Sequence, residues 1–395
     1  MLDDIRQLAD KFYPRMLELR RFFHAHPELA FEEKLTSEKI QATLQDLGLD
    51  FKVMAKTGVV GTLTGNKQTP LCALRSDIDA LPILEKTELE FKSKYPGRMH
   101  ACGHDIHMAS VLGAAMILVK LRDKLPGSVR FIFQPAEEQP PGGAIKLIDE
   151  GVMEKPAVDM IFGLHTDPNI DVGKIGLRDG VLMSEVLDFN LSVKGRGGHG
   201  ARPHDTVDAV VIASQLVTAL QTIVSRNIDP IENAVLTIGR MSGGSARNVI
   251  ANEVNLEGTI RGTSSETVRL VKTRLEKTCR NISEAFEASF ELDYIAGYPV
   301  LINNSDANFY ITRAAEALFG AECLTYLDNP GLGGEDFSRY LEHAPGAMFR
   351  LGIRNAEIGA VHQWHSDRYL CDEKSLLYAS SILAGAVYSF LNHQK

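Results

Sequence analysis

Met99-His-Ala-Cys-Gly-His-Asp-Ile-His-Met108 runs without a break into Ala109-Ser-Val-Leu-Gly-Ala-Ala-Met-Ile-Leu-Val119. The second half has helix-forming composition and no proline, so a helix is predicted over 107–122. Short apolar and β-branched runs flank it: Gly58-Val-Val-Gly-Thr-Leu-Thr64 and Leu71-Cys-Ala-Leu-Arg75 before, Ser128-Val-Arg-Phe-Ile-Phe133 and Met160-Ile-Phe-Gly-Leu164 after. Strands that are apolar throughout and alternate with helices predict an α/β layer with a buried sheet. Helical periodicity over 2–22 and 32–47 opens the chain, and Pro27 breaks the pattern between them.

A different texture begins near Ser184. Strand 187–193, helix 205–225, strands 234–239 and 253–260, helix 264–287 and strand 289–294 follow in the order β-α-β-β-α-β, a ferredoxin-like pattern. The reading is a small α+β domain, 185–298, inserted into a larger one made of 1–184 and 299–395. After Pro299 the α/β texture returns, with a helix at 305–319, a strand at 347–351 and a last helix over 372–392.

The chain has 395 residues, 44% hydrophobic and 24% charged, with a formal net charge of -9. That length predicts two domains, and that balance predicts an ordinary globular protein with no nucleic-acid or anionic-membrane partner. The acidic opening Met1-Leu-Asp-Asp4 does not read as a signal peptide, and no apolar run is read as long enough to span a membrane. Five scattered cysteines (72, 102, 279, 323 and 371) suit a reducing compartment, so the expected location is the cytoplasm.

Chemistry concentrates in 99–108, where a thiol, three imidazoles and a carboxylate share ten positions. Cys102 and His104 flank Gly103 and can converge on one point, at a helix N-terminus that favours thiolate. Taken alone, this pair also reads as a buried thiol beside a surface imidazole, or as a Cys-His nucleophile pair. Gln134-Pro-Ala-Glu-Glu138 directly follows a strand, where open α/β sheets place their sites. One of its adjacent acids can bind a metal while the other serves as general base. Leu164-His165-Thr-Asp-Pro168 is read as ending the next strand, and His362-Gln-Trp-His365 brings imidazoles near the C-terminus. Cys102, His104, Glu138, His165 and His365 are a mixed donor set unlike a closed, cysteine-rich structural zinc site. With Glu137 spare, they fit two metals that activate water.

Through HACGHD, QPAEE, GLHTDP, GGHGARPH and the terminal WHS, the chain from about His24 onward closely resembles the co-catalytic metallopeptidases and amidohydrolases of the aminoacylase and glutamate-carboxypeptidase type. The branch is that of hippurate hydrolase, auxin-conjugate hydrolases and N-acetyldiaminopimelate deacetylase. The resemblance implies a mixed-sheet, zinc-exopeptidase-like α/β catalytic domain and assigns the inserted domain as a lid and dimerisation domain. It implies Cys102 as a bridging ligand, His104, Glu138, His165 and His365 as the other ligands, and Glu137 as catalytic base. It further implies His199 as a catalytic residue offered across a two-fold homodimer, with Asn248 and Arg261 as substrate contacts. Many relatives carry His-x-Asp where this chain has Arg75-Ser-Asp77; Asp77 then keeps only an outer, orienting part. The cofactor expected is two divalent ions, zinc before cobalt, manganese or nickel.

The expected reaction is hydrolysis of the amide bond of an N-acyl-L-amino acid. A metallo-carboxypeptidase acting on short peptides is the alternative with the same machinery, and a non-catalytic metal-binding interaction protein is the alternative of another class. Tyr298, Leu332 and Phe337 are candidates for the pocket lining.

Overall fold

The computed structural model describes residues 2–393. The chain divides into two compact units, the first made of residues 2–182, 302–329 and 336–393, the second of 183–301 with 330–335.

The first unit is built on an eight-stranded mixed sheet, in the order Asp50–Met54, Gly58–Leu63, Ser128–Gln134, Leu71–Asp77, Met160–Asp171, Gly346–Arg354, Ile175–Leu177, Leu324–Tyr326. Its four central strands, Ser128–Gln134 to Gly346–Arg354, run parallel. Every residue of Leu71–Asp77 and Ser128–Gln134 is buried, which is why these runs show no alternation in the sequence.

The helix His104–Lys120 is buried at every position from His104 to Leu118. Gly113 permits its close packing: a Cβ there would lie 2.3 Å from Met16 Sδ on Leu2–Ala25 and 3.0 Å from Ser380 Cβ on Ser375–His393. Each fully buried Leu or Phe of this core contributes roughly 1.5–3 kcal/mol.

Two expectations change. The strand predicted to end at Leu164 continues to Asp171. Its parallel ladder with Gly346–Arg354 passes His165↔Arg350 and Gly352↔Asp167, then shifts register to Arg354↔Asp171. Pro168 sits in that irregularity, where its missing N–H leaves no gap in the ladder. Second, two helices are long and apolar enough to cross a membrane by length and composition, Ala209–Asn227 and Ser375–His393. In this structure Ser375–His393 is a largely buried core helix, and Ala209–Asn227 buries Ile212, Leu216, Leu220 and Ile223.

The second unit carries a four-stranded antiparallel sheet ordered Ala234–Gly243, Glu253–Gly262, Glu185–Lys194, Ser289–Ala296. Numbered along the chain this is 2-3-1-4, the ferredoxin-like arrangement. Its core joins Phe189, Leu191, Val254, Leu256 and Ile260 to the apolar faces of Ala209–Asn227 and Ser265–Ala285. Both helices start on side-chain caps: Asp208 accepts from the Val210 and Val211 N–H groups, and Ser264 from Thr267 N–H.

Candidate functional site

The parallel strands of the first unit end near the segments that the sequence singled out. Asp77 closes its strand opposite Gln134, and Glu137 and Glu138 follow three and four residues later. Their presentation depends on Ala136, whose φ of 56° lies in the left-handed region that costs a Cβ-bearing residue about 1–2 kcal/mol. Two buried carboxylates hold this turn. Glu33 Oε1 accepts from Ala136 N–H at 3.0 Å, and Asp79 Oδ2 accepts from Glu138 N–H at 2.9 Å. Burial, with Asp79 nearby, raises the Glu33 carboxyl to about 7.

His104 begins its helix after Gly103, whose φ is 88°. Its Nδ1 donates to the carbonyl of Asp79 at 2.9 Å, which leaves the lone pair on Nε2. That atom is buried without a hydrogen-bond partner. It lies 3.7 Å from Asp77 Oδ2, 3.9 Å from Glu137 Oε2 and 3.9 Å from Glu138 Oε1. Burial opposes a charge on His104, but Asp77, Asp79 and Glu138 raise its pKa to about 10, so without a bound cation a proton takes the Nε2 lone pair, and this point in the site favours positive charge.

His165 donates from Nδ1 to the carbonyl of Thr166 at 2.8 Å and turns Nε2 toward Cys102 Sγ, 3.5 Å away. Burial, then His107 and Arg350, hold it well below its ordinary pKa and therefore neutral. Glu138 Oε1, also buried without a hydrogen-bond partner, lies 3.4 Å from His365 Nε2. His365 adopts φ 62° and is held by its N–H to Ala101 O at 2.9 Å.

Among the described residues five sets of donor atoms lie within 4.8 Å of one another: Cys102, His104 and His165; Cys102, Glu138 and His365; His104, Glu137 and Glu138; Asp77, His104 and His107; and Glu137, Glu335 and Asp336. Nitrogen, oxygen and sulfur donors with two orphaned buried lone pairs and a preference for positive charge fit two divalent cations.

Cys102 departs from the expectation of a thiolate stabilised by a helix end. Burial, followed by Glu138, Glu137 and Asp77, pushes its thiol well above the ordinary value. Burial and the neighbouring carboxylates both oppose the thiolate, and a bound cation would favour it.

The imidazole hydrogen-bonded to Asp77 is His107 (Nδ1 to Oδ1, 2.6 Å) and not His104. His107 Nε2 in turn accepts from Thr166 N–H at 2.9 Å, so both ring nitrogens are occupied. His107 lies one turn on from His104 on the same side of the helix, with ring centroids 5.3 Å apart, and the two differ in the partners that their nitrogens meet. Burial alone would raise the Asp77 carboxyl, but His104, His107 and Arg75 keep it well below its usual range. Arg75, which stands where many relatives have histidine, donates to Asp77 at 2.8 Å, to Asp336 at 2.8 Å and to Gln134 at 3.0 Å, all buried. The sequence reading missed Asp336 and Glu33, which are distant in the chain and carry no motif.

In the second unit, His199 and Asn248 meet. A two-residue ribbon pairs His199 with Val249, and Gly200 N–H donates to Asn248 O at 2.8 Å. His199 is exposed and accepts from Ala201 N–H on Nδ1 at 3.0 Å. Arg261, near the end of Glu253–Gly262, donates to the Leu332 carbonyl at 2.8 Å. Of the pocket candidates, Leu332 is exposed, whereas Tyr298 and Phe337 are buried; Phe337 packs over Gly163 in the core of the first unit.

A sequence model described as peptidase family M20/M25/M40 matches residues 73–389. The N-acetyl-L-cysteine deacetylase of Bacillus subtilis (strain 168) is 41% identical over 370 residues, covering 93% of this chain and 86% of that protein. Thermostable carboxypeptidase 1 of Saccharolobus solfataricus is 37% identical over 378 residues, 95% of this chain and 94% of that one. Among solved structures, a dinuclear metal-binding peptidase of the M20 family from Bacillus subtilis superposes with a TM-score of 0.84 at 34% identity, covering 97% of this chain and 99% of that one.

Proposed function

The chain belongs to peptidase family M20/M25/M40, and from that premise we propose that this metal-dependent amide hydrolase cleaves N-acyl-L-amino acids into a carboxylic acid and a free amino acid. The observation that carries the reading is the pair of orphaned, buried lone pairs on His104 Nε2 and Glu138 Oε1, set among Cys102, His165 and His365 with the buried carboxylate of Glu137 beside them. In this reading Cys102, His104, Glu138, His165 and His365 would hold two zinc ions; cobalt, manganese and nickel suit the same donors. The bound metals supply Lewis-acid polarisation of the substrate carbonyl and of the attacking water.

Glu137 takes the proton from the attacking water and returns it to the departing amine. His199 donates to the developing oxyanion, Asn248 makes a polar contact to the substrate, and the forked guanidinium of Arg261 holds the substrate carboxylate. A purely metal-binding protein has no use for Glu137, a base set against the ligands.

The proposal includes a homodimer through the second unit, in which each His199 serves the partner's site, and a cytoplasmic location. Two features of that unit support self-association. Ala234–Gly243 is an edge strand of its sheet, and Ala209–Asn227 has no charged residue before Arg226 and exposes Val210 and Val211. All five cysteines are buried and unpaired, in keeping with a reducing compartment.

The second reading, a carboxypeptidase, is favoured by the identity to the Saccharolobus enzyme. A turnover screen of metal-loaded protein separates the two. Hydrolysis of hippurate, N-acetylmethionine or N-acetyldiaminopimelate well above that of dipeptides is expected; the reverse ranking makes the protein a peptidase, and no turnover of either class refutes the assignment.

A further inference from the structure

Thr166 is fully buried and uses every hydrogen-bonding group that it has. Its N–H donates to His107 Nε2 at 2.9 Å. Its carbonyl accepts from His165 Nδ1 at 2.8 Å and from Trp364 Nε1 at 3.0 Å. Its hydroxyl donates to the Cys102 carbonyl at 2.9 Å and accepts from the Tyr369 hydroxyl at 2.8 Å. One residue thereby touches the peptide of one candidate ligand, the ring of a second, the indole that precedes a third, and the imidazole bonded to Asp77.

The main-chain bonds would survive most substitutions, so the hydroxyl is what residue identity contributes. It pins the Cys102 carbonyl just before the left-handed turn at Gly103, where a Cβ would lie only 2.6 Å from Thr166 Oγ1 and 3.0 Å from the Tyr369 hydroxyl. The turn is therefore packed directly on the hydroxyl pair, and Cys102 Sγ, 3.5 Å from His165 Nε2, is aimed from it.

We propose that the Thr166 hydroxyl is a positioning group that fixes the Cys102 thiol against His165 for metal binding. It binds neither metal nor substrate. The inference rests on the reading of Cys102 and His165 as ligands and adds a determinant that the ligand set does not contain. A partner that orients a metal ligand contributes on the order of 10–100-fold to metal affinity when it is removed.

The test compares Thr166→Val, which keeps the shape and loses the hydroxyl, with Thr166→Ser, which keeps the hydroxyl and loses the methyl. Metal-free protein is titrated with cobalt(II), following the thiolate-to-cobalt charge-transfer absorption and the emission of Trp364, the one tryptophan of the chain. The valine variant is expected to bind cobalt on the order of 10–100-fold more weakly with a diminished charge-transfer band, and the serine variant to stay within about threefold of the parent. Parent-like cobalt binding by Thr166→Val, or an equal loss in Thr166→Ser, overturns the proposal. If Thr166→Val does not fold, Thr166→Ala replaces it, since it also removes the hydroxyl that donates to the Cys102 carbonyl; parent-like cobalt affinity there, with Thr166→Ser as the control, overturns the proposal. A parent protein that binds cobalt with no thiolate band refutes Cys102 as a ligand, a failure distinguishable from the others because it precedes any substitution.

Discussion

The candidate metal site and the His199 ribbon are opposite kinds of polar surface. In the first unit Asp77, His104 and His107 are essentially inaccessible, and each has its position set by a named partner. In the second unit His199 is exposed, and its ring meets only the Ala201 N–H of its own turn among the described residues. A buried polar group is costly unless it is paired, so the metal site must be organised before anything binds. An exposed group bears no such cost and can be left for a substrate to engage. The difference separates residues that build the site from residues that meet the ligand, and each prediction below acts on one side of it.

The largest effect falls on the buried side. Glu137→Gln is expected to lower kcat on the order of 10²–10⁴-fold while metal content stays at the parental level, because the change removes a base and no ligand. Glu138→Gln is expected to lose metal. Elemental analysis beside steady-state kinetics checks both, and equal metal loss in the two variants would reverse their roles.

On the exposed side, mixing Glu137→Ala with His199→Ala protein and allowing the subunits to exchange should restore roughly a quarter of parental activity, since one site of each hybrid dimer is then intact. A mixture shown to exchange by native mass spectrometry that stays inactive breaks the assignment of His199 to the partner's site.

Stability sharpens the same contrast. Arg75→Ala leaves the buried Asp77 and Asp336 carboxylates without their shared cation and is expected to cost about 3–5 kcal/mol in denaturant unfolding. The exposed pair Arg240–Glu257, 2.9 Å apart, should give no resolvable change on Arg240→Ala.

Glu33 supplies a pH signature. Its folded pKa of about 7 lies above the ordinary 4.5, so between these values the folded protein holds a proton that the unfolded chain releases. The contribution is complete below pH 4.5 and is lost as pH rises through about 7. Thermal unfolding of metal-free protein across this window should show that downward slope, flattened in Glu33→Gln; an unchanged slope in the variant would clear Glu33 of the effect.

Much of this was legible in the chain because it depends on local order. The buried strands at 71–75 and 128–133 announced themselves as uninterrupted apolar runs, and the β-α-β-β-α-β succession of the second unit follows from the alternation of period two with period 3.6. The density of His and Cys at 99–108 and the paired glutamates after a strand mark out chemistry by residue type and spacing alone. The family match from residue 73 to 389 accords with those motifs.

Tertiary structure decided what composition leaves degenerate. His104 and His107 are three residues apart in one motif, yet one presents an unpartnered nitrogen to three carboxylates and the other is consumed by Asp77 and Thr166. The strand through His165 outlasts its proline because a neighbouring strand offers a ladder with a register shift, which no local propensity encodes. The helix end of Cys102 is local, but the burial that raises its thiol, and the carboxylates of residues 138, 137 and 77 that add to it, come from packing. Local sequence thus determined the elements and the supply of reactive groups. Which lone pairs stay free, and which protons stay bound, was decided by long-range packing, since electrostatic environment is a property of neighbours in space.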